Sequence, residues 1–194
     1  MRTTGFRGLI LAVLAVAIII PGTLRAADFD IADCRHDMGL RLGYGFSANG
    51  PSVHLYSLMP RWGIILINPH SSTLPGKLGI SFELEGIISI AEAEDTGWEL
   101  GISPLLKFTL PVTGFLHPFL EGGVGIITQQ FRSPNVPHSF NFTPQVGVGV
   151  DIAVTPTWAL TVAYRYRHSS NAGLVQPNPG LNMNIIQAGL TYFY

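Results

Sequence analysis

From residue 76 to residue 110 the chain alternates, one side chain at a time, between two faces of opposite character. Between Gly76 and Ala91 the even positions include Leu78, Ile80, Phe82, Leu84, Ile88 and Ile90, and the odd ones include Lys77, Ser81, Glu83, Glu85 and Ser89. Between Gly97 and Leu110, Trp98, Leu100, Ile102, Leu106 and Phe108 oppose Glu99, Ser103, Lys107 and Thr109. Near the start, Met38, Leu40, Leu42, Tyr44 and Phe46 oppose Asp37, Arg41 and Ser47. A helix, turning every ~3.6 residues, would mix these two sets; a strand, with side chains on alternate sides, keeps them apart.

Eight such strands can be traced, at roughly 36–48, 53–68, 76–91, 97–110, 115–128, 139–154, 157–170 and 182–194. The second is the least regular, because Pro60 and Arg61 interrupt its pattern. One apolar and one charged face fit a soluble barrel with the apolar side inward, or a membrane barrel with that side on lipid. Charged residues make up only 12% of the chain, against about 25% in an ordinary soluble domain. They also fall almost entirely opposite the large apolar residues: Arg41, Lys107, Arg165 and Arg167 share a face with Glu83, Glu85, Glu99, Glu121 and Asp151. Such a mixture suits a paired network filling a narrow lumen, and eight strands leave room for side chains but no open pore. The expected fold is therefore an all-β, eight-stranded antiparallel transmembrane β-barrel. The 22 glycines and 14 prolines favour a turn-rich, all-β chain.

The termini agree with export to an outer membrane. Arg2 and Arg7 precede an apolar run from Gly8 to Ile20, followed by Pro21, Gly22, Ala26 and Ala27. That order reads as a secretory signal over residues 1–27, cut near Ala26 or Ala27, with the barrel over 28–194. The run of 13 residues is short of the ~20 that a spanning helix needs. Ile186, Ala188, Leu190, Tyr192 and Tyr194 alternate to a terminal aromatic, which resembles the C-terminal signature of bacterial outer-membrane barrels. Cys34 is the lone cysteine, so no intrachain disulfide forms, and it is read as an incidental thiol. With net charge −1 and no basic cluster, nucleic acid is not a partner.

Loop lengths set the orientation, since such barrels have short periplasmic turns and longer outer loops. Residues 111–114 and 155–156 are short, while 129–138 and 171–181 are long. The segment near 69–75 is long for a periplasmic turn. The seventh strand then runs outward. Its odd positions include Arg165, Arg167 and Ser169, which must enter the lumen, so His168 and Ser170 face outside. Ten steps of ~3.3 Å from Trp158 to His168, tilted ~45°, rise roughly 23 Å. That places them where acyl chains meet headgroups. If Trp158 lies level with Tyr192, antiparallel pairing sets His168 level with Asn182.

A histidine two residues from a serine on one face can serve as base and nucleophile if something orients the imidazole. The same triplet at His70 to Ser72 falls in a periplasmic turn and reads as structural, and His138-Ser139 reads as loop. The run His168-Ser-Ser170-Asn171-Ala172-Gly173-Leu174, then Pro177-Asn178-x-Gly180, resembles the signature of the lipid A 3-O-deacylase (PagL-like) family. The close match spans about 15 residues. The resemblance implies an outer-membrane hydrolase of the 3-O-linked ester of lipid A in lipopolysaccharide. It makes His168 the general base, Ser170 the nucleophile, and Asn171 and the Gly173 backbone oxyanion donors. It implies no cofactor and no metal, and leaves a homodimer open. One position departs: where the family pattern has a glutamate twelve residues past the serine, this chain has Asn182. An asparagine can accept the imidazole N–H but cannot stabilise the imidazolium as a carboxylate would. A structural or ligand-binding barrel without catalysis stands as the alternative, and an acyltransferase as a third reading.

Overall fold

The protein is described by a computed structural model covering residues 27–131 and 133–194, so the segment read as a signal lies almost wholly outside the described residues. Strands β1 (His36–Ser47), β2 (His54–Ile67), β3 (Gly79–Glu92), β4 (Thr96–Thr109), β5 (Leu116–Gln130), β6 (Phe140–Ala153), β7 (Trp158–Ser169) and β8 (Leu181–Phe193) each pair antiparallel with the next. Strand β8 returns to β1, from Asp37 opposite Phe193 to Ser47 opposite Met183, and the barrel is closed. The expected architecture holds, with strand ends shifted by a few residues. The third strand starts at Gly79 because Pro75–Lys77 coil into a single 3-10 turn that lengthens the β2–β3 connection.

Alternation sorts side chains as the sequence dictates. Leu40, Leu42, Ile88, Ile90, Val148 and Leu190 are exposed on the outer wall, where lipid covers them. Trp62, Trp158, Tyr192 and Tyr194 form an aromatic girdle at the periplasmic end, with Trp158 and Tyr192 rings 4.9 Å apart and Trp62 Nε1–H donating to Tyr194 Oη at 3.3 Å.

The lumen holds the charges. Glu121 accepts from Arg41 at 3.0 Å, from Arg61 at 2.9 Å and from Arg165. Arg165 also pairs with Glu85, Arg167 grips Glu99 through two 2.8 Å bonds, and Lys107 meets Asp151 at 2.6 Å. Arg61, which interrupts the sequence pattern of β2, is a buried member of this network. Its neighbour Pro60 sits outside, facing Gly86, where a Cβ would approach the proline ring to 3.1 Å. Apolar plugs close both ends. Val53, Leu55, Phe131, Val136, Leu181 and Met183 fill the outer one; Phe29, Ile31, Ile65 and Phe193 fill the periplasmic one. The wall beneath the outer loops is therefore a filled, rigid support.

Candidate active site

Strand β7 ends and β8 begins at the outer rim. Along β7, Arg165, Arg167 and Ser169 are buried in the lumen, whereas His168 and Ser170 are half-buried on the outside. Ser170 lies one residue past β7 but stays tied to β6. Its N–H donates to Phe142 O at 3.1 Å, and its carbonyl accepts from Phe142 N–H at 2.7 Å. The register sets Trp158 opposite Tyr192 and, ten residues on, His168 opposite Asn182. Their side chains meet: His168 Nδ1 lies 2.6 Å from Asn182 Oδ1. With that oxygen as acceptor Nδ1 carries a proton, which in the neutral ring leaves the lone pair on Nε2. An imidazole in this tautomer can take a proton from a hydroxyl at Nε2.

The connecting loop, residues 170–180, is built by its own signature residues. Asn171 Nδ2–H donates to Val175 O at 2.7 Å, and Asn171 Oδ1 accepts from Gly173 N–H at 2.9 Å. The Asn171 N–H donates in turn to Asn178 Oδ1 at 3.1 Å. Of the donors expected at an oxyanion hole, Gly173 N–H and one of the two Asn171 Nδ2 hydrogens are thus engaged within the loop. Gly180 has φ 81°, and a Cβ there would fall 2.4 Å from His168 Cε1. Only glycine offers both that backbone conformation and room for the ring.

The other histidine–serine pairs read from the sequence lie elsewhere. His70 and Ser72 occupy the periplasmic β2–β3 connection, and His138 and Ser139 precede β6. The structure adds one further serine–histidine pair. On the outer β1–β2 hairpin, Ser52 Oγ lies 3.0 Å from His54 Nε2, and His54 Nδ1 lies 2.9 Å from Tyr44 Oη. The Ser-x-His spacing at 52–54 carried the signal, in reversed order. Among the described residues no group of three or more histidine, cysteine or acidic side chains could hold a metal ion.

The family model described as "Lipid A 3-O-deacylase (PagL)" matches residues 44–191. The lipid A deacylase PagL of Bordetella bronchiseptica is 35% identical over 79 residues, which is 39% of this chain and 40% of that relative. The aligned part thus spans well under half of this curated relative. The crystal structure of the outer membrane enzyme PagL superposes with a TM-score of 0.60 at 19% identity, covering 78% of this chain and 97% of that one. Neisserial surface protein A superposes with a TM-score of 0.54 at 15% identity, covering 82% and 96%. Both structures share the barrel fold.

Proposed function

The chain belongs to the lipid A 3-O-deacylase (PagL) family of outer-membrane barrels, and from that premise we propose that it hydrolyses the 3-O-linked acyl ester of lipid A with Ser170 as nucleophile and His168 as general base. The observation that carries this reading is the 2.6 Å contact between His168 Nδ1 and Asn182 Oδ1 at the headgroup end of the barrel wall.

The chemistry follows from that tautomer. His168 Nε2 takes the Ser170 hydroxyl proton as Oγ attacks the ester carbonyl and a C–O bond forms. The carbonyl π electrons move onto oxygen and return as the bond to the sugar oxygen breaks, and the imidazolium gives its proton to that leaving alkoxide. Water then attacks the acyl-serine by the same relay, freeing a 3-hydroxy fatty acid and restoring both residues. Asn182 fixes the tautomer throughout, without the charge a carboxylate would add. Asn171 Nδ2 carries a second N–H besides the one given to Val175 O, whereas Gly173 N–H can meet the oxyanion only by releasing its bond to Asn171 Oδ1 as substrate enters. No step draws on a cofactor. Export by a signal over residues 1–27 belongs to the same proposal.

Lipid A from cells with and without the protein, compared by mass spectrometry, tests this reading. Loss of one 3-hydroxyacyl group, dependent on Ser170, is expected. Unchanged lipid A would leave the non-enzymatic barrel as the better account.

A further inference from the structure

The imidazole of His168 is only as well placed as the strand opposite it, and that strand's first residues are held from two other loops. Asn49, in the β1–β2 loop at residues 48–53, spans both sides of Leu181. Its Nδ2–H donates to Gly180 O at 3.2 Å, and its Oδ1 accepts from Asn182 N–H at 2.7 Å. Asn135, in the β5–β6 loop at residues 131–139, donates through Nδ2–H to the same Gly180 O at 3.1 Å. Its own carbonyl accepts from Gly180 N–H at 3.0 Å. The two loops also interlock, because Gly50 has φ 71° and a Cβ there would lie 2.4 Å from Asn135 Oδ1. Gly180 therefore has both its N–H and its carbonyl fixed while its Cα backs the His168 ring.

Resting on the reading of His168 as base, we propose that Asn49 and Asn135 are positioning residues that clamp the Gly180–Asn182 backbone and so hold the imidazole in its productive tautomer. A neutral hydrogen bond at a half-exposed rim does not immobilise a ring that water can also reach. Fixing the backbone on both sides of Leu181 limits how far the Asn182 amide can turn away. The Asn49 bonds also explain how a neutral Asn182 could suffice: what it lacks in charge, the clamp offers in preorganisation. In sequence Asn49 and Asn182 are 133 residues apart, and closure of the barrel between β8 and β1 makes them neighbours.

The test uses the full mature chain in detergent, with purified lipopolysaccharide as substrate and released fatty acid as readout. Asn49→Ala should lower kcat about 10- to 100-fold with KM little moved, the size expected when a reacting group loses its placement. Asn49→Asp, which can still accept from Asn182 N–H, should recover part of the loss. If Asn49 acts through Asn182, the double variant Asn49→Ala/Asn182→Ala should be no slower than Asn182→Ala alone. Nitrogen-15 NMR of the His168 ring supplies a readout independent of turnover. The wild type should show the Nδ1–H tautomer and Asn49→Ala a mixture of tautomers. Wild-type kcat in Asn49→Ala, losses that multiply in the double variant, or a ring spectrum unchanged by Asn49→Ala would each overturn the clamp. Absence of Ser170-dependent release from the wild type would instead sink the deacylase reading, and the ring spectrum would still decide the clamp.

Discussion

The barrel carries the His-x-Ser triplet at both of its ends, and the two copies are put to different uses. In the periplasmic turn, Ser72 Oγ–H donates to Leu78 O at 2.7 Å and Oγ accepts from Leu74 N–H at 3.2 Å, so the hydroxyl is spent on folding the turn. His70 N–H donates to Asn68 Oδ1 at 2.9 Å, its ring stands 5.8 Å from that of His117, and its buried Nε2 has no partner. At the outer rim the triplet instead runs off the end of a strand. There the adjacent strand presents Asn182 to the His168 ring, and backbone bonds to β6 carry Ser170. The tripeptide supplies the reactive groups in both places. What separates them is whether a neighbouring strand orients the imidazole and leaves the serine free of turn duties.

The largest effect that tests this division is on the outer copy. Ser170→Ala and His168→Asn should each cut fatty-acid release on the order of 10³-fold or more, as loss of a nucleophile or base does, while both proteins still show the heat-shifted gel mobility of a folded barrel. A fluorophosphonate probe should label the Ser170 peptide and leave those of Ser72 and Ser52 unlabelled. Label at Ser52 would show that the pair with His54, exposed to water and backed by Tyr44, is reactive after all.

Next comes the residue that orients the ring. Asn182→Ala should slow release about 100-fold, because the imidazole loses the strand-borne acceptor at Nδ1 and turns more freely. Asn182→Glu should equal or exceed the wild type, since a carboxylate adds stabilisation of the imidazolium. At the headgroup end of the wall a charge costs far less than at mid-membrane, so folding should survive. Equal rates for asparagine and alanine at position 182 would remove this residue from the site and, with it, the main contrast to the periplasmic copy.

Most of the fold could be read from the chain because lipid and lumen impose opposite chemistry on alternate residues. Strand β2 lies where its pattern puts it but is the least regular of the eight, and the reason lies in the lumen itself. Its inward residues Leu55 and Ile65 belong to the apolar plugs at the two ends, so there both faces of the strand are apolar and the alternation blurs around Arg61. The pairing of His168 with Asn182 was legible, since ten residues from Trp158 and ten from Tyr192 must meet in an antiparallel register. The contacts of Asn49 and Asn135 with Gly180 were not. They join irregular loops far apart in sequence, where no periodicity speaks. The loop-internal bonds of Asn171 escaped for the same reason.

On the periplasmic copy the expected effect on rate is close to nil. Ser72→Ala and His70→Asn should release fatty acid at the wild-type rate, provided the barrel is folded. A loss matching that of the outer pair would show that position on the barrel does not separate the two triplets.

The smallest expected effect is on stability, and it belongs to His70. Burial, with Lys77 adding to it and Asp30 opposing, pushes the His70 imidazole below its ordinary range. The unfolded chain takes up a proton near the ordinary histidine value of ~6.5, while the folded ring still resists it. Protons therefore bind the unfolded state first as the pH falls through that value. Stability is then lost until the pH passes the lower folded value, below which the term is constant. Above about pH 7.5 both states are neutral and the term vanishes. His70→Gln removes this titration but leaves His117 in place. The midpoint of the gel-mobility transition in detergent should fall less steeply for the variant than for the wild type as the pH drops below about 6.5, with equal slopes at higher pH. Identical acid slopes would mean that His70 does not carry the term. A lower deacylation rate in His70→Gln at neutral pH would be the more damaging outcome, because it would give the turn histidine a part in the chemistry.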